Sequence, residues 1–167
     1  MTKRRTGLRP RRRVKSAPRG LAAKPKTMAS AFRYLESSAV LAALLEQDVD
    51  ALRALRAEGR RVTSALTFAE ASRAVVRARV AGRLTPGEER ATQRALRTLE
   101  RRCTVIAVSE AVLARVGRPF PVEPIRTLDA VHLATAELLG AIPHLLTIVT
   151  RDVRVRDNAT ALGYRIG

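Results

Sequence analysis

The sequence predicts an α/β fold, a parallel sheet covered by helices on both faces. Short strand-like runs alternate with helical stretches from Phe32 onward, the pattern of βα units. Capping residues and glycine stops punctuate those stretches where the pattern changes. The 167 residues suffice for one domain with a real core and fall short of two ordinary ones.

"FRYLE" (32–36) reads as the first strand, and Ser37 or Ser38 is placed to cap the helix that follows. A second helix runs from Val49 to Glu58, with Gly59 as its stop. "RVTSA" (61–65) is a short strand, and Thr67 opens a helix ending near Gly82. "TPGE" (85–88) is a capping box with proline just inside, starting a long helix to about Arg101. "TVIAV" (104–108) is a β-branched strand, followed by a short helix from Ser109 and a loop through "RPFPVEP" (118–124). A helix from Thr127 to Leu139 stops at Gly140, and the strand "LTIVT" (146–150) follows. A helix near 153–162, stopped by Gly163, and a last strand "YRI" (164–166) complete the pattern.

The net charge of +17 points to a polyanionic partner. It is uneven. Residues 1–27 hold eleven Lys or Arg and no acid, leaving +6 for residues 28–167. The chain therefore divides into a basic extension (1–27), with little to bury and expected to be disordered when free, and a domain (28–167). Two readings of the extension stand. It is a basic arm that grips phosphates through residues such as Arg11, Arg12 and Arg13, or a solvated segment ahead of a true start at Met28. No lysine follows Lys26, so arginine usage reflects codon bias as well as function. The single Cys103 suits a reducing, cytoplasmic setting and is expected to pack in the core beside "TVIAV". The longest apolar run, Ala39–Leu45, is far too short to cross a membrane.

Most acids sit among charged neighbours on helix faces, but Glu36, Glu70, Asp129 and Asp152 do not. Glu36 closes the first strand, Glu70 lies early in the helix after the second, and Asp152 follows "LTIVT" directly. Sites in open parallel sheets form beyond the carboxyl ends of the strands. Asp129 needs the tertiary fold to join them. Each has a bland alternative: Thr67 and Glu70 have capping-box spacing, Asp129 suits a helix N-terminus, and Asp152 can be an N-cap. Glu36 is the hardest to dismiss, because the adjacent serines can cap without it. Converging carboxylates repel, and a hard divalent cation relieves the repulsion. Mg²⁺ or Mn²⁺ suits oxygen ligands, while the lack of Cys and His clusters argues against zinc.

Through "YLESSAV" (34–40), "SALTFAEASRAV" (64–75), "RTLDAVHLATAELLG" (126–140) and "VTRD…ALGYRI" (149–166), the chain resembles the PIN-domain family, especially the VapC-type ribonuclease toxins of toxin–antitoxin pairs. The resemblance covers essentially all of 28–167. It implies a five-stranded parallel sheet in a three-layer α/β/α sandwich and a Mg²⁺- or Mn²⁺-dependent endoribonuclease. It makes Glu36, Glu70, Asp129 and Asp152 the catalytic acids, with Glu36, Asp129 and Asp152 holding the metal and Ser38 and Thr150 supporting its water network. It also implies an RNA substrate, a cognate antitoxin whose tail enters the acidic pocket, and a homodimer. One departure stands out. The family nearly always has Asp where this chain has Glu36, and the extra methylene moves the carboxylate by up to about 1.5 Å. The alternative is therefore an impaired PIN domain that binds RNA or an antitoxin without cutting.

His132, three residues after Asp129, reads either as a contact to metal water or RNA or as a packed, hydrogen-bonded residue. Arg90, Arg94, Arg97 and Arg101 form one helical stripe that lines an RNA path or is a solvated face. Aromatics are scarce and none is interleaved with the basic runs, which argues against a stacking platform for bases.

Overall fold

A computed structural model describes residues 32–140 and 143–167. The extension, with Arg11, Arg12 and Arg13, and the start of the domain at Met28 lie outside the described residues. β1 (Phe32–Leu35), β2 (Arg60–Ser64), β3 (Thr104–Ile106), β4 (Leu146–Val149) and β5 (Arg165–Ile166) form one sheet in the order β3-β2-β1-β4-β5, and every neighbouring pair is parallel. The helices are α1 (Ser37–Leu44), α2 (Val49–Arg56), α3 (Ala65–Val80), α4 (Pro86–Glu100), α5 (Glu110–Val116), α6 (Thr127–Leu138) and α7 (Val153–Ala161). The five-stranded parallel sandwich is the architecture the sequence implies. Among the described residues no helix is long and apolar enough to cross a membrane.

Strand alternation divides the core in two. Tyr34, Leu146 and Ile148 point to one face, where α5, α6 and α7 bring Val112, Leu133, Val155 and Ala159. Leu35 and Val149 point to the other, under α1, α2, α3 and α4 with Val40, Leu55, Val75 and Leu96. The α4 capping box forms as its sequence requires: Glu88 N–H donates to the Thr85 hydroxyl, and Thr85 N–H donates to Glu88 Oε2 at 2.8 Å.

Three local expectations change. The expected third strand, 104–108, stops at Ile106 because its last partner is Ser64, where β2 turns into α3. α3 begins at Ala65, not at Thr67, with Ser64 as its N-cap. Cys103 is only partly buried, at the edge of the core rather than within it, and burial pushes its thiol up to about 11.

Leu133, 1% exposed at the centre of the α5–α7 layer, is the test of that core. Leu133→Ala is expected to lower the unfolding free energy by about 2–5 kcal/mol with an unchanged urea slope. A smaller loss in urea denaturation shows a layer loose enough to close over the missing atoms.

Candidate active site

β1 and β4 pair in register from Phe32–Leu146 to Leu35–Val149, and the backbone ladder continues one step as Glu36 N–H donates to Val149 O at 3.0 Å. Glu36 is therefore still extended, with φ −89° and ψ 155°, and takes the N-cap position of α1. This corrects the expectation that Ser37 or Ser38 caps that helix. The serines lie inside the first turn and turn their donors onto the glutamate. Ser37 Oγ donates to Glu36 Oε1 at 2.6 Å, Ser38 N–H reaches both carboxylate oxygens at 3.0 and 3.1 Å, and Ser38 Oγ donates to Oε2. From β4's end, Thr150 Oγ1 donates to Oε2 at 2.8 Å. The longer arm of glutamate has folded back into a ring of donors and is 2% exposed.

The same two supporting residues fix the entry to α7. Ser38 Oγ accepts from Arg151 N–H (2.8 Å) and Asp152 N–H (3.1 Å), and Thr150 Oγ1 accepts from Asp152 N–H at 3.0 Å. Asp152 is the N-cap of α7, its Oδ1 accepting from Arg154 N–H (2.7 Å) and Val155 N–H (3.2 Å). The cap uses Oδ1 alone.

Glu70 does not pair with Thr67. The early start of α3 moves Thr67 into the helix, where its hydroxyl meets Thr63 Oγ1 at 2.7 Å and stays buried. Glu70 Oε2 instead meets His132 Nε2 at 2.8 Å, and His132 Nδ1 meets the Tyr34 hydroxyl at 3.0 Å. An ionised carboxylate only accepts, so Nε2 carries a proton. His132 is 1% exposed and is held from both sides, which is the packed, hydrogen-bonded reading. Its Nε2 also lies 3.8 Å from Glu36 Oε1, so it faces the acids as well. Burial alone pushes the Glu70 carboxyl up, but the hydrogen bond and charge of His132, the Ser37 hydroxyl and Arg77 outweigh it and leave it below its ordinary range.

Asp129, in the first turn of α6, is the uncompensated member. Its Oδ2 is buried with no hydrogen-bond partner. Burial, then the charges of Asp152 and Glu36, push its carboxyl up against the opposing pull of Arg126 and His132. The fold thus brings Asp129 within electrostatic reach of Glu36 and Asp152, as a shared site requires. Among the described residues, one group of three has ligand atoms all within 4.8 Å of one another: Glu36, Glu70 and His132. An orphaned buried carboxylate oxygen beside like charges fits a hard divalent cation. The set joining Glu36 to Glu70 and His132 differs from the expected Glu36, Asp129 and Asp152, and a histidine enters it.

A family model described as "PIN domain" matches residues 33–160. The chain belongs to the PIN-domain family. Ribonuclease VapC46 of Mycobacterium tuberculosis is 42% identical over 80% of this chain and 94% of that protein, and Ribonuclease VapC35 of the same species is 36% identical over 80% and 93%. The structure of VapBC2 from Rickettsia felis bound to a DNA fragment from their promoter superimposes with a TM-score of 0.56, covering 81% of this chain and 97% of that one at 16% identity. At that identity the likeness speaks for the fold.

Tyr34 and Ser37 of this PIN domain were not among the candidates from sequence. The strand period places Tyr34 on the side of Glu36, two residues on, and that is the signal that points to it. Arg90, Arg94 and Arg97 on α4, and Arg101 at its C-cap, are exposed, and no ion pair described ties them to an acid or brings them to this PIN site.

Because the Asp129 carboxyl is pushed up in the folded protein, its contribution to stability is present at low pH and lost as pH rises past its folded value. Asp129→Asn is therefore expected to melt above the natural protein at neutral pH in EDTA, with the gain vanishing below the carboxylate range. A melting scan showing no gain at neutral pH removes the claim that burial and the neighbouring charges penalise the ionised carboxylate.

Proposed function

We propose that this PIN-domain protein is an endoribonuclease that hydrolyses RNA phosphodiester bonds with Mg²⁺ or Mn²⁺, as the toxin of a toxin–antitoxin pair. The observation that supports the reading is a buried, unpartnered Asp129 oxygen that feels the charges of Asp152 and Glu36, beside a Glu36, Glu70 and His132 group, in a chain 42% identical to a VapC ribonuclease. Two structural relatives are VapBC assemblies, which supports an antitoxin as the protein partner, and the family resemblance supports a homodimer.

Asp129 with its open Oδ2, Glu36 and Asp152 would hold the cation. When bound, the cation supplies an activated water and steadies charge on the phosphoryl oxygens. Glu70, anchored by His132 and through it by Tyr34, would orient that water. Ser38 and Thr150 fix the Glu36 carboxylate and the start of α7 together, so the β1 and β4 contributions keep one geometry.

A second reading has its own observation. Both Glu36 oxygens already accept hydrogen bonds, from Ser37, Ser38 and Thr150, so this carboxylate gives up donors when it binds a cation. On that reading the domain binds RNA or an antitoxin with little cleavage. Cleavage of structured RNA, with and without EDTA, tests the pair. The nuclease reading expects metal-dependent cutting and a loss of about 100-fold or more in Asp129→Asn. Metal-independent cutting, or an unaffected variant, rejects it. Glu36→Asp then ranks the two. A large gain marks the natural site as impaired, and a loss marks a site rebuilt around glutamate.

A further inference from the structure

The sheet has a second polar end. Where β2 and β3 begin, opposite the strand ends that carry the acids, a cleft of ≈350 Å³ is lined by Arg60, Arg61, Arg101, Arg102, Cys103 and Thr104 together with Gly59. The lining includes four arginines and no acid. Three of the guanidinium groups are held in place by something other than a carboxylate. Arg60 lies over the Phe32 ring, 5.5 Å from its centroid. Arg61 Nε donates to Leu55 O at 2.8 Å, at the carboxyl end of α2. Arg101 Nη2 donates to Thr98 Oγ1 at 3.3 Å. Among the described ion pairs, none involves any of the four. Glu58 and Glu100 are exposed nearby in the chain and do not line the cleft.

A buried neighbour sharpens the imbalance. Arg33 is the register partner of Arg61 on β1, is 9% exposed, and has a buried Nε with no acceptor. Guanidinium groups with no described ion pair, gathered at one open pocket, are what phosphate oxygens pair with, and arginine's planar fork suits them. The first described strand also enters the sheet at this end, at Phe32. The span of β2 from Arg60 to Ser64, about 13 Å at 3.3 Å per residue, separates the cleft from the level of the acids.

We propose that this arginine cleft is a second phosphate-binding site for RNA, separate from the acidic site, which holds the backbone of a long RNA while another part of it reaches the acids. The proposal rests on the ribonuclease reading for its choice of polyanion. The site has no aromatic platform, so it grips phosphates without reading bases.

The test is Arg101→Ala/Arg102→Ala, two exposed positions, with fluorescence anisotropy of a long single-stranded RNA and of a trinucleotide, in EDTA across a salt series. The long RNA is expected to bind several-fold more weakly. Its salt slope is expected to fall by about 1.4, at about 0.7 for each phosphate contact on a single strand. The trinucleotide, which offers two phosphates to the same cleft, is expected to bind more weakly too. Lysine at both positions, which keeps the charge, is expected to restore most of the slope. An unaltered slope for the long RNA, or a failure of lysine to restore it, overturns the proposal. Cleavage is assayed separately with Mn²⁺ present. A protein that cuts no RNA overturns the ribonuclease reading while the EDTA binding data still judge the cleft.

Discussion

In-register parallel pairing of β1 with β4 is the constraint on which the acidic end of the molecule depends. It runs from Phe32–Leu146 to Leu35–Val149 and is continued by the bond from Glu36 N–H to Val149 O. Because both strands end at the same level, the residues just past them, Glu36 on one side and Thr150 and Asp152 on the other, meet. A slip of one residue would send Tyr34 and Leu35 to opposite layers and exchange the two cores. Ser38 and Thr150 then act as a two-residue clamp, donating to the glutamate and accepting from the backbone that starts α7. α6 adds Asp129 and His132 from the neighbouring layer, and α3 adds Glu70.

The acids are not equally costly in this arrangement. Glu36 is surrounded by donors, Asp152 serves a helix end, and Glu70 leans on His132, so each has a local offset. Asp129 has none for its buried oxygen. Asp129 is left to the cost of burial and to the charges of Asp152 and Glu36, so a cation bound beside it would offset that cost most. The other end of the sheet shows the reverse imbalance, with guanidinium groups fixed by carbonyl, hydroxyl and ring contacts instead of by carboxylates. The four arginines of the cleft thus make a basic patch at the end of the sheet opposite the acids.

Much of this was legible in the sequence. The strand–helix alternation gave all five strands and the parallel sheet. The α4 capping box was readable because both partners lie three residues apart on one segment. The position of Glu36, Glu70 and Asp152 past the strands followed from the same alternation. What was not legible depends on where sheet pairing stops, and that is decided by another strand. Glu36 became the α1 cap because β4 keeps it extended for one more residue. Glu70 lost its capping partner because α3 starts two residues earlier than Thr67. β3 lost its last two residues because β2 leaves it unpaired beyond Ile106. The Tyr34–His132–Glu70 chain joins residues 98 and 62 positions apart, a separation no local pattern reaches.

On the proposed reading, these side chains, led by Asp129, share a divalent cation. Calorimetric titration of Mn²⁺ into the folded protein tests it most directly. Saturable binding that disappears in Asp129→Asn, with the fold of the variant intact by circular dichroism, is the predicted result. Absence of saturable binding to the natural protein, or identical binding to the variant, would contradict it.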